Sequence, residues 1–143
     1  MAIHTYAFDG AGDRPYNASP DAMVVGLGAA RIVFQPDRQQ KRWMAFMDPP
    51  LPGVRLDNQV EWGRQQCPGA PTVQTQVQTQ PEGGVVIRLS GQAAGSCGEF
   101  SIYRLALNQP EFFEAVFRLL WRELGGTLAR GFQEGRVPAQ ADL

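Results

Sequence analysis

The chain has 143 residues, 43% apolar and 19% charged, with 16 Gly and 11 Pro, a composition that argues against disorder and for one loop-rich globular unit. Thirteen basic against fourteen acidic side chains leave a net charge of -1, far from the basic excess that neutralising several phosphates requires, so nucleic acid is not an expected partner. His4 is the only histidine and Lys41 the only lysine, which reduces Ser-His-Asp, Cys-His and multi-histidine metal sites to one imidazole near an end and leaves Schiff-base or P-loop chemistry one poorly placed amine.

No run approaches the roughly 20 apolar residues that span a bilayer, and the opening MAIHTYAFDG has neither a basic leader nor an apolar signal core. The expectation is a soluble cytoplasmic chain, or a periplasmic or secreted one if an export signal has been removed. Residues 3–8 alternate loosely and read as a first strand before the turn DGAGDRP. Ser19, Pro20 and Asp21 then supply an N-cap, a first-turn proline and a first-turn carboxylate, predicting a short helix over 19–28 that Gly26 and Gly28 weaken.

From Arg31 the period changes to two. ARIVFQ and KRWMAFM flank the turn QPDRQQ as a hairpin, with Met44 and Phe46 on one face and Trp43, Ala45 and Met47 on the other. The next strand, VRLDNQVEW, is the cleanest: Val54, Leu56, Asn58, Val60 and Trp62 share one face, and Arg55, Asp57, Gln59 and Glu61 the opposite one. TVQTQVQTQ sets Val73, Thr75, Val77 and Thr79 against Gln74, Gln76, Gln78 and Gln80, and the turn PEGG feeds VVIRLSG as a second hairpin. EFSIYRLAL reads as the last strand. Asn108 and Glu111 open a long final helix over 109–124 as a capping box, with Phe113, Val116, Phe117, Leu120, Leu124 and Leu128 at helical spacing and Glu114, Arg118 and Arg122 opposite. Together these elements predict an α+β domain over 1–133 with a flexible tail over 134–143. Its core would be a curved antiparallel sheet of about seven strands, with the helix packed across it.

Cys67 in QQCPGAP and Cys97 in GSCGEF both fall in Gly/Pro-rich turns. They are either two unrelated thiols in a reducing compartment or a disulfide implying an oxidising one, and pairing is not decided by sequence. Other constellations read as structure. VVGLGAAR lacks the third glycine or alanine of a dinucleotide fingerprint, with Arg31 in its place, and no alternating strand-helix pattern follows. Asp9 and Asp13 fit a turn better than a cation loop, and no calcium-loop pattern is present. Asn17-Ala18-Ser19 matches a glycosylation acceptor, yet Ser19 is already explained as a cap. Arg38, Lys41, Arg42 and Trp43 read as a charged turn that keeps a sheet end soluble. No coherent acid, base and nucleophile set emerges, so catalysis is not expected, nor is any cofactor or metal.

Phe112, Phe113, Phe117 and Trp121 widen the apolar surface of the final helix beyond one packed seam. The order strand, short helix, six strands and long amphipathic helix resembles the helix-grip fold of the START/SRPBCC superfamily. The resemblance covers nearly the whole chain in element order and rests on no diagnostic motif. It departs where that family has two helices after its first strand and, in many members, a glycine-rich loop, here QPDRQQ. It implies a pocket for a lipid or other apolar molecule, walled by Phe113, Phe117, Leu120 and Trp121 and by Met44, Phe46, Leu56, Val60, Trp62 and Tyr103, with Asn58 or Tyr103 orienting the ligand. The alternative is a protein–protein interaction module, such as an immunity or inhibitor protein of a bacterial secretion system, using a sheet face or loop; the glutamine ladder fits such a polar surface.

Overall fold

A computed structural model describes residues 9–133, 135, 136, 138 and 140. Its strands are β1 (Ala30–Asp37), β2 (Arg42–Asp48), β3 (Val54–Gly63), β4 (Val73–Thr79), β5 (Val85–Ala94) and β6 (Phe100–Arg104), followed by one helix, α1 (Gln109–Glu123). The class is α+β, and the six strands expected after residue 30 all form. The strand expected over 3–8 lies outside the described residues, as do 134, 137, 139 and 141–143 of the expected tail.

The strands do not make one antiparallel layer. They divide into two sheets of three, ordered β2-β1-β6 and β3-β5-β4. The first is antiparallel throughout, and the β1–β2 hairpin pairs Phe34 with Ala45 and Asp37 with Arg42. In the second, β5 lies between β3 and β4, antiparallel to β4 but parallel to β3. The cause is the Pro/Gly-rich connection over 64–72: it is long enough to carry β4 past the place beside β3, and the β4–β5 hairpin then inserts β5 into that gap.

The short helix expected over 19–28 is absent. Asp21 Oδ1 instead accepts from Met23 N at 2.9 Å, an Asx turn, and Val25 is extended with φ -116°. A single 3-10 turn follows at Gly26–Gly28, in which Gly26, Leu27 and Gly28 all have positive φ. Two adjacent β-branched residues and two glycines are poor helix formers, and the cap signal at Ser19 does not outweigh them. Gly28 has a further requirement, since a Cβ there would overlap the side-chain amide of Gln109.

Ile32, Phe34, Ile87 and Leu89 are fully buried between the sheets, and α1 adds Phe112 and Val116. Phe34 stacks on Phe100 at 4.7 Å between centroids, and Trp43 meets both Phe100 and Trp62. Polar side chains join the sheets at two places. At one, Trp43 Nε1 donates to Ala93 O at 3.0 Å and Asn58 Nδ2 donates to Trp43 O at 2.7 Å. At the other, Arg104 Nε of β6 donates to Thr75 Oγ1 of β4 at 2.6 Å and pairs with Asp13 at 3.0 Å, while Thr75 donates to Asp13. Asp13 O also accepts from Leu105 N at 2.8 Å, so the segment before β1 straps the two sheets together.

Gly63 and Ala94 end the parallel pair side by side, and Cys67 and Cys97 just beyond them form a disulfide with 4.9 Å between Cα atoms. Burial of the guanidinium, reinforced by the nearby Arg14 charge, lowers the pKa of Arg104, while the Asp13 carboxylate acts in the opposite direction.

Candidate functional site

Helix α1 begins as the sequence predicts: Asn108 Oδ1 accepts from Glu111 N at 2.9 Å, with proline in the first turn. The pair Glu114–Arg118 also forms, at 2.7 Å. The packed face shares only Val116 with the expected stripe. Gln109, Phe112 and Val116 are the buried residues of the helix, spaced i, i+3 and i+7. Phe113, Phe117, Leu120 and Leu124 repeat at nearly the same interval about 100° around the axis, and they do not enter the core. Two apolar stripes lie on one helix, and only one meets the sheets.

The outward stripe forms an aromatic ridge. Phe113 and Phe117 lie 6.0 Å apart between centroids, and Phe117 stacks on Trp121 at 5.9 Å. After Gly125, whose φ is +82°, the chain reverses and runs back along the helix. Trp121 Nε1 donates to Thr127 O at 3.2 Å, Arg118 Nη2 donates to Arg130 O at 3.1 Å, and Phe132 meets Phe113 and Phe117 edge-on at 5.4 and 5.2 Å. This returning segment covers the Phe113 end. Leu124, 84% exposed, and Leu120, 52% exposed, stay open to the surroundings, while Gly126 and Thr127 of the returning segment lie against Trp121.

The residues expected to line one pocket therefore fall into separate places. Leu56, Val60 and Trp62 face the core, where a Cβ on Gly95 would overlap the Trp62 ring. Asn58 shares their face, but its amide is spent on Trp43 O and on Val60 N. Met44 and Phe46 lie on the other face of β2, with Phe46 exposed, and Tyr103 is exposed beside the inward-facing Arg104. Phe113, Phe117, Leu120 and Trp121 belong to the ridge. No single cleft brings these groups together among the described residues.

A groove of about 790 Å3 lies elsewhere, between one side of α1 along its length, the β4–β5 end of the second sheet and the N-terminal segment. Ala106, Leu107 and Val85 line it together with Asp21, Glu111 and Arg122. The other singled-out groups are structural. Asp9 accepts from Ala11 N at 2.9 Å, Tyr16 OH at 2.9 Å and Asn17 Nδ2 at 2.8 Å, which lowers its pKa, the Ala11 N–H contributing most. Asp37 accepts from Gln40 N at 3.0 Å and pairs with Arg42 at 3.3 Å; these contacts hold the β1–β2 turn, where Lys41 has φ +48°, and depress its carboxyl. The glutamines of β4 point away from the core. Among the described residues no cluster of three His, Cys, Asp or Glu side chains is placed to hold a metal, and no helix is long and apolar enough to cross a membrane. His4 lies outside the described residues.

The sequence matches no protein family and no curated protein. In fold the chain is similar to penicillin binding protein 4 from Haemophilus influenzae in complex with a β-lactam, at 15% identity and a TM-score of 0.54, over 89% of this chain and 28% of that one. A second structure of that protein matches at 14% identity and a TM-score of 0.51, over 85% of this chain and 27% of the other. The chain thus spans under a third of the length of these two structures, and at this identity the likeness is one of fold.

Proposed function

We propose that this chain is a non-catalytic, disulfide-tied unit of a longer β-lactam-binding protein, working through contacts with the rest of that protein in the periplasm or outside the cell. The observation that carries this reading is the fold likeness, which takes in 89% of this chain but only 28% of penicillin binding protein 4. The chemistry is consistent. Penicillin-binding proteins acylate a serine placed three residues before a lysine. Here the one lysine, Lys41, is preceded at that spacing by Arg38, so these 143 residues carry no counterpart of that serine.

The Cys67–Cys97 bridge supports the location, because disulfides persist where the surroundings are oxidising. An apolar ligand held between sheet and helix, by contrast, needs Met44 and Phe46 on the same wall space as Phe113 and Phe117, and those side chains sit on separate faces. The protein-interaction reading has the better geometric support, since the open end of α1 presents Leu120, Trp121 and Leu124 to the surroundings.

An antibody raised against the purified chain tests the proposal. From solubilised source cells it should capture a longer polypeptide that a fluorescent penicillin labels covalently, while the 143-residue chain alone takes no label. Captured polypeptide that remains unlabelled overturns the reading.

A further inference from the structure

We infer that the groove between α1 and β4 takes an extended peptide, which adds to the second sheet as a further strand beside Val77 and Thr79. Such a site does not require a penicillin-reactive parent. A strand at the edge of a sheet presents a row of backbone N–H and C=O groups that another extended chain can pair with. β4 is such an edge, since the order of its sheet is β3-β5-β4. Gln80 N donates to Gly84 O at 2.9 Å, and hydrogen-bonded pairs alternate along an antiparallel ladder, so Gln78, Gln76 and Gln74 exchange bonds with β5. The backbone groups of Val73, Thr75, Val77 and Thr79 therefore turn to the outer side, in keeping with the bond that Arg104 Nη2 donates to Val73 O at 3.5 Å.

Elsewhere the edges of the two sheets meet. Asn58 of β3 donates to Trp43 O of β2, and Arg104 of β6 donates to Thr75 Oγ1 as well as to Val73 O. Beyond Thr75, β4 has no such neighbour among the described residues, and there Val77 and Thr79 line the groove of about 790 Å3. That edge is also undefended. Charged side chains and proline are common means of keeping an edge from pairing, and β4 is the only one of the six described strands without a charged residue; it holds no proline either. Main-chain bonds to Val77 and Thr79 supply affinity, and every second side chain of the added strand meets the apolar lining at Val85, Ala106 and Leu107. Asp21, Glu111 and Arg122 line the same groove without an ion-pair partner among the described residues, whereas Glu114 and Arg118 pair with each other. The occupant is thus an extended peptide with apolar residues at alternate positions and charges of both signs.

Panning random peptides of about seven residues on the folded chain, then titrating the selected ones into it, tests this. The selected peptides should slow hydrogen exchange at the Val77 and Thr79 amides. Methylating the alternate set of peptide nitrogens that faces β4 should weaken binding about tenfold or more, while methylating the other set should not. Val77→Pro removes one outward N–H where an edge strand tolerates proline, and should weaken the same peptides to a similar degree. If that variant does not fold, the methylated peptides decide. No selected peptide, binding that leaves both amides unprotected, or equal effects of the two methylated sets overturns the inference. Protection of Val77 and Thr79 that grows with the concentration of the chain alone assigns the edge to a second copy and overturns it too.

Discussion

Asp9 and Tyr16 share one hydrogen bond, and their titrations bound the pH range over which it stabilises the fold. Three donors depress the Asp9 carboxyl below its ordinary 3.8, the Ala11 N–H foremost. The bond to Asp9 raises the Tyr16 hydroxyl above its ordinary 10.0. A depressed acid contributes stability that is present above its unfolded pKa and lost as pH falls through the folded value. A raised phenol contributes stability that is present below its unfolded pKa and lost as pH rises through the folded value. Tyr16→Phe is therefore expected to lower stability between these limits and to flatten both the acid and the alkaline limb of a urea-midpoint against pH curve. Identical limbs in the two proteins would refute the assignment. At this scale the sequence is a partial guide. The turn DGAGDRP is readable from Asp and Gly, but Asp13 looks like a companion of Asp9 and is instead the anion of Arg104, which stands 91 residues further along. Spacing reports chain neighbours, and a buried ion pair is formed by packing.

At the scale of elements, strands were easier to read than helices because period two leaves little choice of face. In β3 the alternation Val54, Leu56, Asn58, Val60 and Trp62 places one side inward, and in β4 the glutamines take the outer side. For α1 the apolar residues form two stripes of the same period, so spacing alone cannot say which one meets the sheets. The structure chooses Phe112 and Val116, and Gln109 follows them inward with Nε2 donating to Gly28 O at 3.4 Å. This choice has a direct test. Truncating a buried phenylalanine removes transfer energy and leaves a cavity, so Phe112→Ala should cost about 3–5 kcal/mol. Leu124→Asp, on the open end of the ridge, should change stability by no more than about 0.5 kcal/mol, as surface substitutions do. Urea unfolding of both variants decides the matter, and the reverse ranking would restore the face that Phe113, Phe117 and Leu120 define.

For the whole molecule, the class and the order of elements after residue 30 follow from local signals, whereas the division into two sheets does not. A strand inserted between two others leaves no mark on its own alternation: β5 reads the same whether β3 lies beside it or far away. The same holds for the separation of Phe46 from Phe117, which depends on how the sheets pack. The disulfide closes this topology. Cys67 and Cys97 follow the adjacent ends of the parallel β3–β5 pair, and the loop they close, with a separation of 30 residues, contains the whole of β4 and the β4–β5 hairpin. Restricting such a loop in the unfolded chain is worth about 3–4 kcal/mol on the chain-entropy account. Parallel neighbours also lack a tight turn to hold them in register, so the bridge ties a pair that no hairpin joins. Cys67→Ser with Cys97→Ser is therefore expected to lower the unfolding free energy by about that amount, read from the shift in denaturant midpoint at unchanged slope. The native protein should show the same shift on adding a reductant, and the double variant should show none. A reductant effect of equal size in both proteins would mean that the bridge does not supply the difference.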